Sequence, residues 1–148
     1  MSDLKLTFIL PNLGIGGVEI NFLNLANYYA GSFKKIDVLY CLELDNGDYK
    51  KRFDRSISFS KINLKGFIKS IFSYSKYFNA RTPDIILVPM YMDAVILIIA
   101  RLFSKHKPKI IINGNAHFSS VIQNTDSNVI RYLLKPLAKI FYPLADFF

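Results

Sequence analysis

The sequence predicts an α/β domain, Rossmann-like and doubly wound, with a mostly parallel sheet. Three observations carry this expectation. Short continuous apolar runs such as Ile85-Ile86-Leu87-Val88 and Ile110-Ile111-Ile112 recur along the chain, the pattern of strands covered on both faces. Between them lie longer segments with apolar residues at helical spacing, so strand and helix alternate as parallel connections require. The first apolar run also leads through a glycine loop into a helix start, the junction at which such sheets bind anions.

In order, strand 4–10 is the run Leu4 to Leu10, and Pro11-Asn12-Leu13-Gly14-Ile15-Gly16-Gly17-Val18-Glu19 forms the loop and the helix start. Helix 18–30 follows, closed by Gly31 where a left-handed residue is needed. Strand 36–43 contains the single cysteine, Cys41, read as a core thiol with no internal disulfide partner. Asp45-Asn46-Gly47-Asp48 is a turn, and Lys50, Lys51, Arg52 and Arg55 form a solvated basic run before strand 57–60. Helix 65–80 is preceded by Leu64 and carries Phe67, Ile68, Ile71, Phe72 and Phe78 at helical spacing with lysines between. Pro83 stops the chain before strand 84–89, and Pro108 does the same before strand 109–113. Ile85 to Ala100 is about 16 residues, short of the roughly 20 that span a bilayer, and Pro89 and Asp93 interrupt it. A buried strand running into helix 92–104 explains it better. Helix 128–142 comes last, and Pro143-Leu144-Ala145-Asp146-Phe147-Phe148 reads as a helix end leading into another apolar strand.

A length of 148 residues fits one domain with a sizeable core, and 51% hydrophobic against 20% charged residues excludes a disordered chain. The net charge of +8 favours anionic partners. Nucleic acid fits poorly, because the cations are mostly lysines beside apolar helical segments rather than arginines interleaved with aromatics. An anionic membrane surface fits better. Helix 65–80 reads either as a core-facing helix with a solvated basic face or as a segment lying on such a bilayer. Arg131, Lys135 and Lys139, on one face of the last helix, add to the second reading. The N-terminus carries no basic region followed by a long apolar one, so the expected compartment is the cytoplasm, at or near the inner face of the cell membrane.

Two features could carry chemistry. Gly14-x-Gly16-Gly17 suits a phosphate, but it lacks the third glycine of the dinucleotide fingerprint, with Asn21 and its neighbours bringing side chains where helix and strand would close up. Glu43 or Asp45 leaves a ribose-binding reading open. The loop equally suits a turn that needs positive φ at Gly16 or Gly17. Glu19, in the first helical turn, suits capping of the loop's amides, a role that needs no substrate and is preferred to catalysis. His117 follows strand 109–113 and so lies at the same sheet edge as the glycine loop, where it can donate to a sugar hydroxyl or stabilise a leaving phosphate. The alternative is a loop histidine bonded to backbone. His106, in Lys105-His106-Lys107-Pro108, reads as solvated, and no metal cluster, Walker loop or nucleophile elbow is visible.

As an ordered set, Gly14-Ile15-Gly16-Gly17-Val18-Glu19 with Leu23-Asn24-Leu25-Ala26, Arg81-Thr82-Pro83-Asp84-Ile85-Ile86, Asn115-Ala116-His117 and Ala145-Asp146 resembles the acceptor-side domain of family 4 GT-B retaining glycosyltransferases. Thr82 is inserted in what that family has as Arg-Pro-Asp. The resemblance covers nearly the whole chain, implying half of a GT-B fold in one domain, residues 1–148. It also implies that Gly16 and Gly17 lie against the donor diphosphate and that His117 contacts the transferred sugar. The reaction implied is retaining transfer from a nucleotide-sugar to a glycan or lipid-linked acceptor, with no cofactor and no obligatory metal. The family's second domain binds the nucleotide through a Glu-x7-Glu element, whereas this sequence holds only Glu19 and Glu43. The C-terminal nucleotide-sugar-binding domain is therefore expected to be absent, supplied if at all by a separate C-terminal-half chain, and this chain alone is expected to transfer nothing. The alternative is a noncatalytic peripheral membrane or partner-binding domain of the same fold.

Overall fold

The computed structural model describes residues 2–44, 48–64, 66–89, 91–113, 136 and 139–146. Five strands form one wholly parallel sheet: β1 Ser2–Leu13, β2 Phe33–Glu43, β3 Ser58–Lys61, β4 Ile85–Val88 and β5 Lys109–Ile112. Their order is β3-β2-β1-β4-β5, so the chain winds outward from β1 in one direction, then crosses back to wind in the other. Helix α1 (Gly17–Tyr29) joins β1 to β2, α2 (Phe67–Arg81) makes the crossover from β3 to β4, and α3 (Tyr91–Phe103) joins β4 to β5. This is the doubly wound arrangement whose switch point lies between β1 and β4.

Side-chain alternation along β1 divides the core in two. Leu6, Phe8 and Leu10 face Phe22, Leu23 and Ala26 of α1, whereas Ile9 joins Leu39, Ile86 and Ile110 against Tyr74 and Phe78 of α2 and Leu97 of α3. Strands apolar on both faces are the reason the sheet must lie between helices. Beyond α1, Ile85 and Leu87 of β4 and Ile111 of β5 line an apolar groove of about 410 Å³ with Leu6, Leu25 and Tyr29.

Elements begin and end near where the sequence puts them, with three instructive differences. Strand β1 runs through Pro11 to Leu13, pairing Asn12 with Leu42 and Leu13 with Glu43. Pro11 is tolerated because β4 pairs only with Leu6 to Phe8, leaving that edge of β1 without a ladder partner for the missing N–H. Lys50 is not a solvated cation: it lies in a 3-10 turn, Tyr49–Arg52, donates to Tyr40 Oη at 2.8 Å and to Glu43 Oε2 at 3.0 Å, and rests over the Tyr40 ring. Nor is His106 merely solvated, since its backbone N–H donates to Asn79 Oδ1 at 3.0 Å and its Nε2 meets the Pro83 carbonyl. Of the expected helix 128–142, residues 136 and 139–141 are helical, 142 begins a 3-10 turn, and the rest lie outside the described residues.

The Arg81-Thr82-Pro83-Asp84 motif acts at the amino edge of the sheet. Asp84 N–H donates to the Lys5 carbonyl at 3.0 Å, while its carboxylate accepts from Lys5 N–H at 2.8 Å. Asp146 repeats the device on β5, donating to the Ile110 carbonyl at 3.1 Å and accepting from Ile110 N–H at 2.8 Å. The inserted Thr82 ends α2 in the left-handed region, φ 47°, with its hydroxyl oxygen accepting from Lys5 Nζ at 2.6 Å.

Candidate functional site

The carboxyl edge beside the switch point holds the site. Gly16 precedes the first turn of α1 as its N-cap, and its carbonyl accepts the N–H of Ile20 at 2.9 Å. The helix thereby presents its unpaired first-turn amides at the end of β1, where the macrodipole favours an anion.

The glycines are not there for positive φ. Gly16 is extended at φ −144°, ψ 164°, and among the described residues the left-handed glycines are Gly31 and Gly66. A β-carbon at Gly16 would meet the Glu19 carboxylate, the far end of a flexible side chain that folds back over the loop from the first turn and can swing aside. Gly14 is confined by Leu44 at 3.2 Å, whereas a β-carbon at Gly17 would meet nothing within 4 Å. The backbone at Gly17 is thus open to close approach by a ligand. Asn21 is exposed, and Phe22 and Ala26, both fully buried, make the close contact of α1 with the sheet.

At the end of β2 the Glu43 carboxylate is held by Lys50, with Nζ 3.0 Å from Oε1. A carboxylate paired in this way is poorly placed to grip a ribose, which weakens the dinucleotide reading further; Asp45 lies outside the described residues. His117 also lies outside them, as do Asn115 and Ala116.

In the sequence Asp93 stands out only as an interruption of an apolar run. In the structure it stands in the first turn of α3, at the carboxyl edge, and burial pushes its carboxyl up to about 6. Its charge reaches Cys41, near the end of β2, whose thiol is pushed up to about 11 chiefly by burial. The Tyr74 hydroxyl of α2 is raised far above the usual tyrosine range by burial first, then by Asp93 and Cys41. A carboxyl that titrates near neutrality at this edge can hold or release a proton. The signal in the sequence was its position, the start of the helix after a buried strand, as with Glu19.

The buried carboxylate of Asp37 lies deeper and serves structure. It accepts from Ser58 Oγ at 2.9 Å, Ser60 Oγ at 2.7 Å and Tyr77 Oη at 2.6 Å, tying β2 to β3 and α2. Among the described residues no group of three or more His, Cys, Asp or Glu could hold a metal ion, and no helix is long and apolar enough to cross a membrane.

With this geometry in hand, the chain aligns with a solved structure, the apo form of the lipopolysaccharide outer core galactosyltransferase WaaB. The TM-score is 0.65 at 13% identity, over 90% of this chain and 37% of that one. No protein-family model matches the chain, and no curated protein matches it. At this identity the likeness concerns the fold: the five-stranded parallel sheet and its helices are a Rossmann-like half of the GT-B kind, as the sequence leads one to expect. The chain spans little more than a third of the length of that structure.

Proposed function

We propose that this chain is the acceptor-binding half of a glycosyltransferase that transfers a sugar from a nucleotide-sugar donor to a glycan or lipid-linked acceptor, with retention. The observation that carries the reading is the β1–α1 junction: extended Gly16 and open Gly17 bring bare backbone and a helix N-terminus to the switch point of a fold shared with a galactosyltransferase. In this reading Gly16 and Gly17 lie against the donor diphosphate, Glu19 caps the loop and His117 contacts the transferred sugar. The chemistry needs no cofactor and no obligatory metal. The nucleotide is held mainly by a second, C-terminal half, so this chain alone turns nothing over. It acts in the cytoplasm, at the inner face of the cell membrane.

Backbone amide NMR tests this on the chain itself. Saccharide acceptors and nucleoside diphosphate sugars are expected to shift the amides of Gly14, Gly16 and Gly17 at millimolar concentration, while NAD leaves them unmoved. Gly17→Val, which fills open space, is expected to weaken that binding at least about tenfold without changing the fold. Silence of these amides toward every saccharide and diphosphate sugar, or saturation by NAD, would overturn the reading. A noncatalytic peripheral membrane or partner-binding domain is the second reading, favoured by the exposed Phe67, Ile68 and Phe72 on α2.

A further inference from the structure

The two faces of the sheet are covered unequally. On the side of α2 and α3, Ile86, Val88, Ile110 and Ile112 are buried, whereas their neighbours Ile85, Leu87 and Ile111, which point to the side of α1, are only half-buried. A helix is about 10 Å across and strands lie about 4.8 Å apart, so α1, among the described residues the one α-helix on that side, cannot reach from β2 to β5. The groove of about 410 Å³ is what it leaves. Beside the groove stands a knob. Tyr28, 79% exposed, is three residues from the groove-lining Leu25 and so shares that flank of α1. Its ring meets Tyr29 edge-on at 5.1 Å, and Tyr29 meets Phe33, in the groove, at 5.8 Å.

Charge says what fits there. The chain carries a net +8, yet from Leu6 to Phe33 its one charged residue is Glu19, and among the described residues none that lines the groove is charged. Anionic surfaces and nucleic acids are drawn to cations and find none here. Nor does the groove offer a charge to hold the head of an amphiphile. A second copy is different, because two chains of +8 repel and approach at least cost where each is uncharged. An isologous contact also needs a patch that is its own complement, and a knob beside a hole on one flank is such a patch. Its aromatic, uncharged make-up is that of an interface core.

We propose that this protein forms a two-fold dimer through the flank of α1 and the adjoining groove, with the Tyr28 ring of each copy seated in the groove of the other. The contact does not depend on sugar transfer. Tyr28 lies about 16 Å along the helix from Gly17, so the dimer leaves the glycine loop open.

Sedimentation equilibrium of the full chain tests this. A reversible dimer is expected, with a Kd of about 10 µM for so small a contact. Raising salt from about 0.05 to about 0.5 M is expected to tighten it several-fold, because screening weakens the repulsion between the copies while the contact itself holds no ion pair. Tyr28→Lys is expected to weaken it at least about tenfold. Tyr28→Phe, and Phe72→Ser at an exposed ring on the opposite side of the sheet, are expected to leave it unchanged. Because Tyr28 is exposed, thermal melts of its variants at concentrations where the parent is monomeric should match the parent. A chain that stays monomeric at about 200 µM would overturn the proposal, whether or not its groove takes up a fatty acid instead. So would a dimer that Tyr28→Lys leaves intact, a dimer that salt weakens, or the open-ended assembly that a head-to-tail contact gives.

Discussion

Asp93 shows how far a residue's chemistry depends on what surrounds it. With its carboxyl at about 6 in the fold and an ordinary value of 3.8, the folded chain keeps a proton that the unfolded chain has already lost between those pH values. Stability therefore falls as pH rises through that window, and the loss is complete above it. At about 1.4 kcal/mol per pH unit, a window about two units wide amounts to about 3 kcal/mol as an upper figure. Asp93→Asn is accordingly expected to equal the parent near pH 3 and to exceed it by about 2 to 3 kcal/mol at pH 8 in urea unfolding. A variant whose stability varies with pH as steeply as the parent's would refute this account. The same window makes Asp93 the described side chain at the carboxyl edge best suited to proton transfer near neutrality, a role its sequence context as an interrupted apolar run concealed.

At the scale of elements, glycine has separate uses that the sequence does not distinguish. Gly31, after α1, and Gly66, before α2, take φ of 81° and 74°, where a β-carbon is costly. At Gly16 a β-carbon would meet only the end of the flexible Glu19 side chain, and at Gly17 it would meet nothing within 4 Å. Gly31→Ala is thus expected to destabilise the fold by about 1 to 2 kcal/mol, and Gly17→Ala to change it by less than about 0.5 kcal/mol. Thermal melts of the two variants separate the uses, and equal effects would show that the loop glycines are conformational after all. Helix α2 teaches a related lesson. Its apolar residues recur at helical spacing, yet the sheet receives Ile71, Tyr74 and Phe78 while Ile68 and Phe72 face out. Periodicity identifies a helix; when apolar residues ring more than one face, it cannot say which stripe the core takes.

Across the whole molecule, the aspartates at the amino edge fasten strands that are distant in sequence. Lys5 and Asp84 are 79 positions apart and exchange two hydrogen bonds, one through the carboxylate. Asp84→Ala leaves the partly buried Lys5 N–H without its acceptor, so a loss of about 1 to 3 kcal/mol is expected in urea unfolding. A loss below about 0.5 kcal/mol would mean that water replaces the carboxylate at no cost. The motif that carries the family resemblance at this position is thereby explained by sheet assembly, with no ligand required. At the opposite edge stand the glycine loop, Glu43 with Lys50, and Asp93, brought there by β1, β2 and α3.

The sequence by itself determined the alternation of strand and helix, the parallel sheet and the glycine junction at the end of β1, because each follows from local periodicity, turn chemistry and the covering that two-faced apolar strands demand. It also places Glu19 in the first helical turn after the glycine loop, since a strand-to-helix junction is written in contiguous residues. Only the tertiary structure decided that Lys50 closes on Glu43, that Asp37 is satisfied by hydroxyls from two other elements, that Asp93 is buried enough to hold its proton up to about pH 6, and that α2 leaves two phenylalanines and an isoleucine on the surface. Those outcomes depend on strand register and on which helix stripe meets the sheet. Both are set by contacts between residues tens of positions apart, which no local pattern records.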